Sequence, residues 1–361
     1  MSLASLYIKN VRNLAETHIE PAPCLNIIHG ANASGKTSIL EAIYLLGRAR
    51  SFRTSHIQNV LSKGTDGFTV VGQVNIGADQ RIPLGIEYTA EKMRMRAAGQ
   101  TLERTSDLVT HLPLLLINPD SHKILTLGPR QRRRFMDWGV FHVEHAFMPI
   151  WARYCRALKQ RNASLRCSGR SMPEDVWSIE LQESASRIDF LRREYLRDYL
   201  PLFVGFVEKL LPLLEGVSLR YIRGWAQDAE YHEVLARSLE KDRSLGYTSR
   251  GPHRADVMIE VAGKPAQEYT SGGQQKLLIC AMYLAQAALL KARVQRQCII
   301  LVDDLPAELD TQHRRKLIDL LCELDAQIMV TTTDRELIHM PEMAGRKMFH
   351  VEHGAVTEQA F

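Results

Sequence analysis

The run LNIIHGANASGKTSILEAIYLLG, Leu25 to Gly47, decides how this chain folds. Its centre fits G-x-x-x-x-G-K-[ST], with Gly30, Ala31, Asn32, Ala33, Ser34, Gly35, Lys36 and Thr37 in order. LNII reads as a buried strand. KTSILEAIYLLG reads as a helix with Ile39, Ile43 and Leu46 on one face and Gly47 as its stop. Strand, glycine loop and helix together are the context in which loop amides and a helix N-terminus cradle phosphate oxygens. Lys36 then reaches the β- and γ-phosphates of a nucleoside triphosphate, Thr37 binds Mg²⁺, and Ser38 completes the first turn. A chance glycine-rich turn is the competing reading, and the flanking strand and helix argue against it.

A second element lies far along the chain. In CIILVDD, four apolar residues, Ile299 to Val302, end in Asp303 and Asp304. Ligands sit at the C-terminal edge of such a parallel strand. Asp303 is positioned to hold Mg²⁺, directly or through water, and Asp304 to orient and deprotonate an attacking water. Two acids after a strand can also cap a helix, but the glycine loop in the same chain favours catalysis.

YTSGGQQK, Tyr269 to Lys276, raises a different question. Ser271, Gly272, Gly273 and Gln274 open an apolar helix, and two adjacent glycines imply a close approach by something. Lys36 already holds the one triphosphate that one glycine loop provides. Ser271 either folds back onto that nucleotide or meets the nucleotide of a second molecule.

The first 90 residues otherwise look strand-rich, and buried strands alternate with helices near the C-terminus, which implies a parallel sheet. The simplest fold is one α/β nucleotide-binding head assembled from both chain ends, with a helical insert between. We expect three segments: 1–127 and 241–361 as the two parts of the head, and 128–240 as the helical lobe. Within the lobe, a helical hairpin is predicted, its second arm starting near Glu174 and broken by Pro201 and Pro212. The pentapeptide FHVEH occurs at Phe141–His145 and at Phe349–His353. Full zinc-enzyme spacings are absent, and the second copy reads as a terminal strand.

Across 361 residues the net charge is +5 and hydrophobic content 45%, ordinary for a globular chain. The six cysteines form no C-x-x-C pair, so neither a zinc clip nor a disulfide framework is indicated. No apolar stretch reads as a membrane span and the N-terminus lacks an apolar signal core, so a reduced, cytoplasmic protein is expected. The basic charge is concentrated. Arg130 to Arg170 holds ten Lys or Arg against Asp137 and Glu144, a local net charge of +8. That is the footprint of phosphate-backbone binding, set against a solvated face with internal Arg pairs. Arg130, Arg132, Arg133 and Arg134 are candidate DNA contacts. No base-reading module is evident, so binding would follow shape rather than sequence.

TSGGQ resembles the signature of ABC-type ATPases, in which one head's signature caps the γ-phosphate bound by another. PAELD, Pro306 to Asp310, takes the place of their D-loop, and LLLINPDS that of their Q-loop, with Asn118 instead of Gln. Where those proteins carry a switch His, this chain reads Thr331-Thr332-Thr333. Asp304 likewise replaces their usual Glu, so slow, switch-like hydrolysis is expected. GANASGKTSILEAIYLLGRARSFRT, GPRQRRRFMDWGVFH, LKQRNASL, SRGPHRADV, YTSGGQQK and VDDLPAELD together resemble the RecF family, related to the SMC group, over essentially the whole length.

The resemblance implies an ABC-type head, with a P-loop αβ lobe and an antiparallel β subdomain, plus a helical lobe. It also implies an ATP-dependent homodimer on double-stranded DNA near single-strand gaps, acting with RecR, RecO and RecA. Arg50 and Arg53, in the RSFR segment, join the DNA candidates. Two rivals differ in class. A transporter ATPase subunit predicts a Q-loop Gln and a switch His, neither of which is present. A nucleotide-gated scaffold would be separated by measured turnover.

Overall fold

The computed structural model describes residues 1–77, 80–89, 92–166, 174–304 and 309–360, with 174–176 described as backbone. The chain folds as two units. One joins Met1–Ser121 to Lys276–Phe361; the other is His122–Gln275.

The first unit holds two six-stranded sheets. One is antiparallel, in the spatial order Leu14–Ile19, Ser2–Val11, Gly67–Asn75, Arg81–Thr89, Lys92–Ala97, Gln100–Leu102. Gly67–Asn75 alternates buried and half-buried positions, as expected for a strand with one face on a core. The other sheet runs Ala355–Gln359, Arg346–Glu352, Leu25–His29, Gln327–Thr332, Ile299–Val302, Leu114–Ile117. Its middle strands pair in parallel and are buried throughout. Both ends of the chain therefore build one head, as expected for an ABC-type ATPase fold. The helix Lys36–Arg48 contributes Ile39, Ile43, Leu45 and Leu46 to a core shared with residues of both sheets. Gln327, 1% exposed, ties the sheets by accepting from the Leu3 amide at 2.7 Å and donating to the Leu3 carbonyl at 2.9 Å.

Gly47 does not stop its helix. The helix runs on to Arg48 and is capped by Ala49 in the left-handed region. Glycine is required at 47 for space: a Cβ there would lie 2.4 Å from Leu114 Cδ1.

In the second unit, helices Pro129–Val143, Phe147–Arg166 and Glu174–Leu210 pack with a three-stranded antiparallel sheet. Arg192, with no exposure, joins these pieces. It pairs with both Asp137 oxygens at 2.9 Å, donates to Pro252 O at 2.9 Å, and lies 5.3 Å from the Trp151 ring centre. The 37-residue helix Glu174–Leu210 passes through Pro201 unbroken, contrary to the expected break there; Pro212 lies beyond its end. Tyr195, Tyr199, Phe203 and Val207 form one buried stripe on both sides of Pro201, which itself faces solvent. Packing along that stripe outweighs the single backbone bond that proline removes.

The expected boundary at 240/241 also falls elsewhere. Val217–Ile222 pairs with Asp256–Val261 in the sheet of the second unit, so this β segment does not join the head. The helix Gly272–Val294 has the length and apolarity of a membrane span, which the sequence reading did not assign. Two-thirds of its apolar window (67%) is buried inside the protein. The first FHVEH ends the helix Pro129–Val143, whereas the second lies in the strand Arg346–Glu352 and its turn. Identical residues take different structures because their neighbours differ.

Candidate nucleotide site

The strand Leu25–His29 delivers the chain into a loop that doubles back tightly. Gly30 and Gly35 take φ of 152° and 124°. A Cβ on Gly30 would lie 2.2 Å from Val351 O, so only glycine fits. Lys36 folds over the loop and donates to Gly30 O at 2.7 Å and Ala31 O at 2.8 Å. Burial lowers its pKa, while the carboxylates of Asp304 and Asp303 act in the opposite direction. Ser34 is buried with its hydroxyl unpartnered, and Ser38 donates to Asn13 Oδ1 at 2.9 Å. Ala31, Asn32 and Ala33 are exposed along the loop crest.

The two acid positions meet this loop from the strand Ile299–Val302, one strand removed from Leu25–His29 across Gln327–Thr332. Thr37 Oγ1 donates to Asp303 Oδ1 at 2.9 Å, 266 residues apart in sequence. Thr331 Oγ1 donates to the same oxygen at 2.8 Å and accepts the Asp304 amide at 2.8 Å. Burial raises the Asp303 pKa, and the bonds from Thr331 and Thr37 oppose the shift. Asp304 sits at φ 55°, half-buried. The expected D-loop begins outside the described residues; only its end is seen, where Asp310 accepts from the His313 amide at 3.0 Å as a helix cap. Asn118 follows the strand Leu114–Ile117 and accepts from Ser121 Oγ at 3.0 Å.

Beside the loop is a cavity of about 640 Å³ lined by Arg12, Lys36, Arg53 and Lys63 among others, with no acid among the described residues of its wall. Its chemistry suits a polyanion. Loop amides, Lys36 and the Ser34 hydroxyl fit phosphate oxygens, and Thr37 with Asp303 supplies oxygen ligands suited to Mg²⁺.

Sequence reasoning missed Arg12 and Asn13 at this site and gave Arg53 only as a DNA candidate. Arg12 forms a bidentate pair with the fully buried Glu41 of the loop helix, both contacts at 2.8 Å. Arg53 approaches the same Glu41 at 3.6 Å. Asn13 Nδ2 donates to Ser34 O at 2.9 Å, bracing the glycine loop from the turn after the first strand. NVRNL, which supplies Arg12 and Asn13, showed no motif spacing that would have found those two.

The segment Ser271–Gln274 belongs to the second unit. Ser271 accepts the Gln274 amide at 3.3 Å, and Gln274 Oε1 accepts the Ser271 amide at 2.9 Å, a reciprocal cap. Ser271, Gly272 and Gly273 are exposed. A Cβ on either glycine would meet no atom within 4 Å, and neither has positive φ. Among the described residues, nothing demands glycine at 272 or 273.

Two basic candidates take internal roles instead. Arg132 pairs with both Asp256 oxygens at 2.8 Å and is 13% exposed, and Arg133 donates to Ala255 O at 2.6 Å. We therefore withdraw both as DNA contacts: their guanidinia hold the lobe together. Arg50, Arg130 and Arg134 are exposed.

Residues 2–357 match the family described as RecF/RecN/SMC N terminal domain. The "DNA replication and repair protein RecF" of Stutzerimonas stutzeri (strain A1501) is 44% identical over 99% of this chain and 98% of its own. That of Pseudomonas putida (strain GB-1) is 43% identical over the same shares. Among solved structures, "recombination mediator protein RecF-ATPrS in RecFOR pathway" superposes with TM-score 0.86 at 25% identity, covering 99% of this chain and 98% of that one. An SMC head, bound to the C-winged helix domain of ScpA, shares the fold at TM-score 0.59 and 16% identity, covering 100% and 98%. With full-length identity at this level, the chain belongs to the RecF family.

Proposed function

We propose that this chain is an ATP-gated, DNA-binding protein of recombinational repair with slow ATPase activity, working in the cytoplasm. Lys36 and the loop amides hold the β- and γ-phosphates, and Thr37 with Asp303 holds Mg²⁺, which neutralises charge on the phosphates. Asp304 orients the attacking water and takes its proton. Two chains pair head to tail, each presenting Ser271–Gln274 to the nucleotide of the other. The dimer closes on double-stranded DNA near a gap, where it acts with RecR, RecO and RecA.

The observation that carries this reading is the contact of Thr37 with Asp303, which unites the glycine loop and the acidic strand end in one site. The shared-site step draws support from Gly272 and Gly273, whose side-chain space is open in the single chain. Light scattering of the chain with and without ATP, Mg²⁺ and gapped duplex tests it. ATP is expected to convert monomer to dimer; Lys36→Ala abolishes ATP binding, and Asp304→Asn binds ATP but does not turn it over. Tight ATP binding by Lys36→Ala, or an ATP-bound wild type that stays monomeric, would sink the reading.

A further inference from the structure

The loop from Tyr247 to Asp256, sequence YTSRGPHRAD, is fixed at nearly every inward position. Thr248 accepts from Arg161 at 2.7 Å, and Pro252 O accepts from Arg192 at 2.9 Å. Tyr154 meets His253 Nδ1 at 2.6 Å, and Tyr231 donates to Arg250 O at 2.9 Å. Gly251 sits at φ 133°, where a Cβ would lie 2.3 Å from Tyr231 OH. The exposed side chains that remain are Tyr247, Arg250 and Arg254.

Those two arginines differ from several others on this unit. Exposed Arg153, Arg197, Arg220, Arg237 and Arg243 each hold a carboxylate at 2.6 to 3.0 Å. Among the described residues, no carboxylate pairs with Arg250 or Arg254. Arg254 instead lies 5.2 Å from the ring centre of Tyr247, itself 37% exposed. The pairs from Arg132 to Asp256 and from Arg133 to Ala255 O seat the start of the basic helix Pro129–Val143 against this loop. Two positive segments, more than a hundred residues apart in sequence, are thereby joined.

A guanidinium without a carboxylate, on backbone that cannot relax, presents a fixed fork to phosphate at little ordering cost. We propose that Arg250 and Arg254 form a phosphate-backbone contact for DNA, with Tyr247 holding the Arg254 guanidinium in place. This rests on the DNA-binding reading above and assigns it a surface that the charge run alone did not locate.

The test is fluorescence anisotropy of a duplex oligonucleotide with the full chain, with ATP and Mg²⁺, across a salt series. Arg250→Gln/Arg254→Gln removes two phosphate contacts. The slope of log K against log salt is expected to flatten by about 1.8, and affinity near 0.1 M salt to fall roughly 60-fold. Arg250→Lys/Arg254→Lys keeps the charge and retains most of the slope. Arg237→Gln/Arg243→Gln, which removes arginines already paired with acids, leaves it unchanged. ATP binding, measured separately, stays at wild type in every variant. A wild-type slope in the Arg250→Gln/Arg254→Gln protein overturns this proposal alone. Failure of the wild-type chain to bind duplex overturns both this proposal and the reading beneath it.

Discussion

Thr331 Oγ1 donates to Asp303 Oδ1 and accepts the amide of Asp304, so one hydroxyl fixes two consecutive acids. It stands where the ABC pattern led us to look for a switch histidine. The parallel pairing of Val302 with Val330 brings it there. Thr331 is 1% exposed, so Thr331→Val leaves the Asp304 amide without its partner. The expected cost is about 1–3 kcal/mol of stability, with slower turnover. Thermal melts and steady-state ATPase assays on the same preparation measure both.

Asp303→Asn is expected to stabilise the free chain while abolishing Mg²⁺-dependent hydrolysis. Burial raises the carboxyl pKa, so at neutral pH the ionised form is less favourable in the folded state than in the unfolded one. Neutralising it removes that cost. A lower melting temperature for the variant, without nucleotide, would show that bonds from Thr37 and Thr331 outweigh burial.

Asn13 braces the glycine loop without facing the acids. Asn13→Ala releases the bonds to Ser34 O and from Ser38 Oγ while leaving Lys36, Thr37 and Asp303 in place. The expected loss is about 1–2 kcal/mol of ATP affinity, or roughly 5- to 30-fold, since each lost bond is worth about 1 kcal/mol. Calorimetric titration reads the affinity, and turnover at saturating ATP should change less than affinity does.

Gly272→Ala and Gly273→Ala separate self-stability from assembly. Both sites are helical or at the helix start, with open side-chain space, so alanine should stabilise the free chain by up to about 1 kcal/mol each. ATP-driven dimerisation should nevertheless fail, because the added methyl stands where the other chain's phosphate approaches. Normal dimerisation by the double variant would remove the reason for two glycines.

His253 is expected to make the second unit sensitive to acid. Burial lowers its pKa to about 4, from an ordinary value near 6.5. The unfolded chain therefore takes up the proton first, and stability falls as pH drops from about 6.5 towards 4, by at most about 3 kcal/mol. His253→Gln should flatten the pH dependence of melting in that window. An unchanged profile would assign the effect to other groups.

The glycine loop, the acidic strand end and the parallel-sheet pattern were legible in the sequence because each is local. A strand announces itself by consecutive apolar residues, and phosphate recognition by a single turn demands Gly30, Gly35, Lys36 and Thr37 at fixed spacing. Tertiary structure decided what depends on meetings between distant segments. Arg132 and Arg133 carry the same charge as Arg250 and Arg254, yet the fold sets the first pair against Asp256 and the Ala255 carbonyl and leaves the second exposed. Pro201 carries a helix-breaking signal, and a stripe of tyrosines and phenylalanine spanning it overrides that signal. Sequence states which groups a chain owns. Which of them are neutralised, buried or left open is settled by packing, because the free energy of a charge or a proline depends on its neighbours in space.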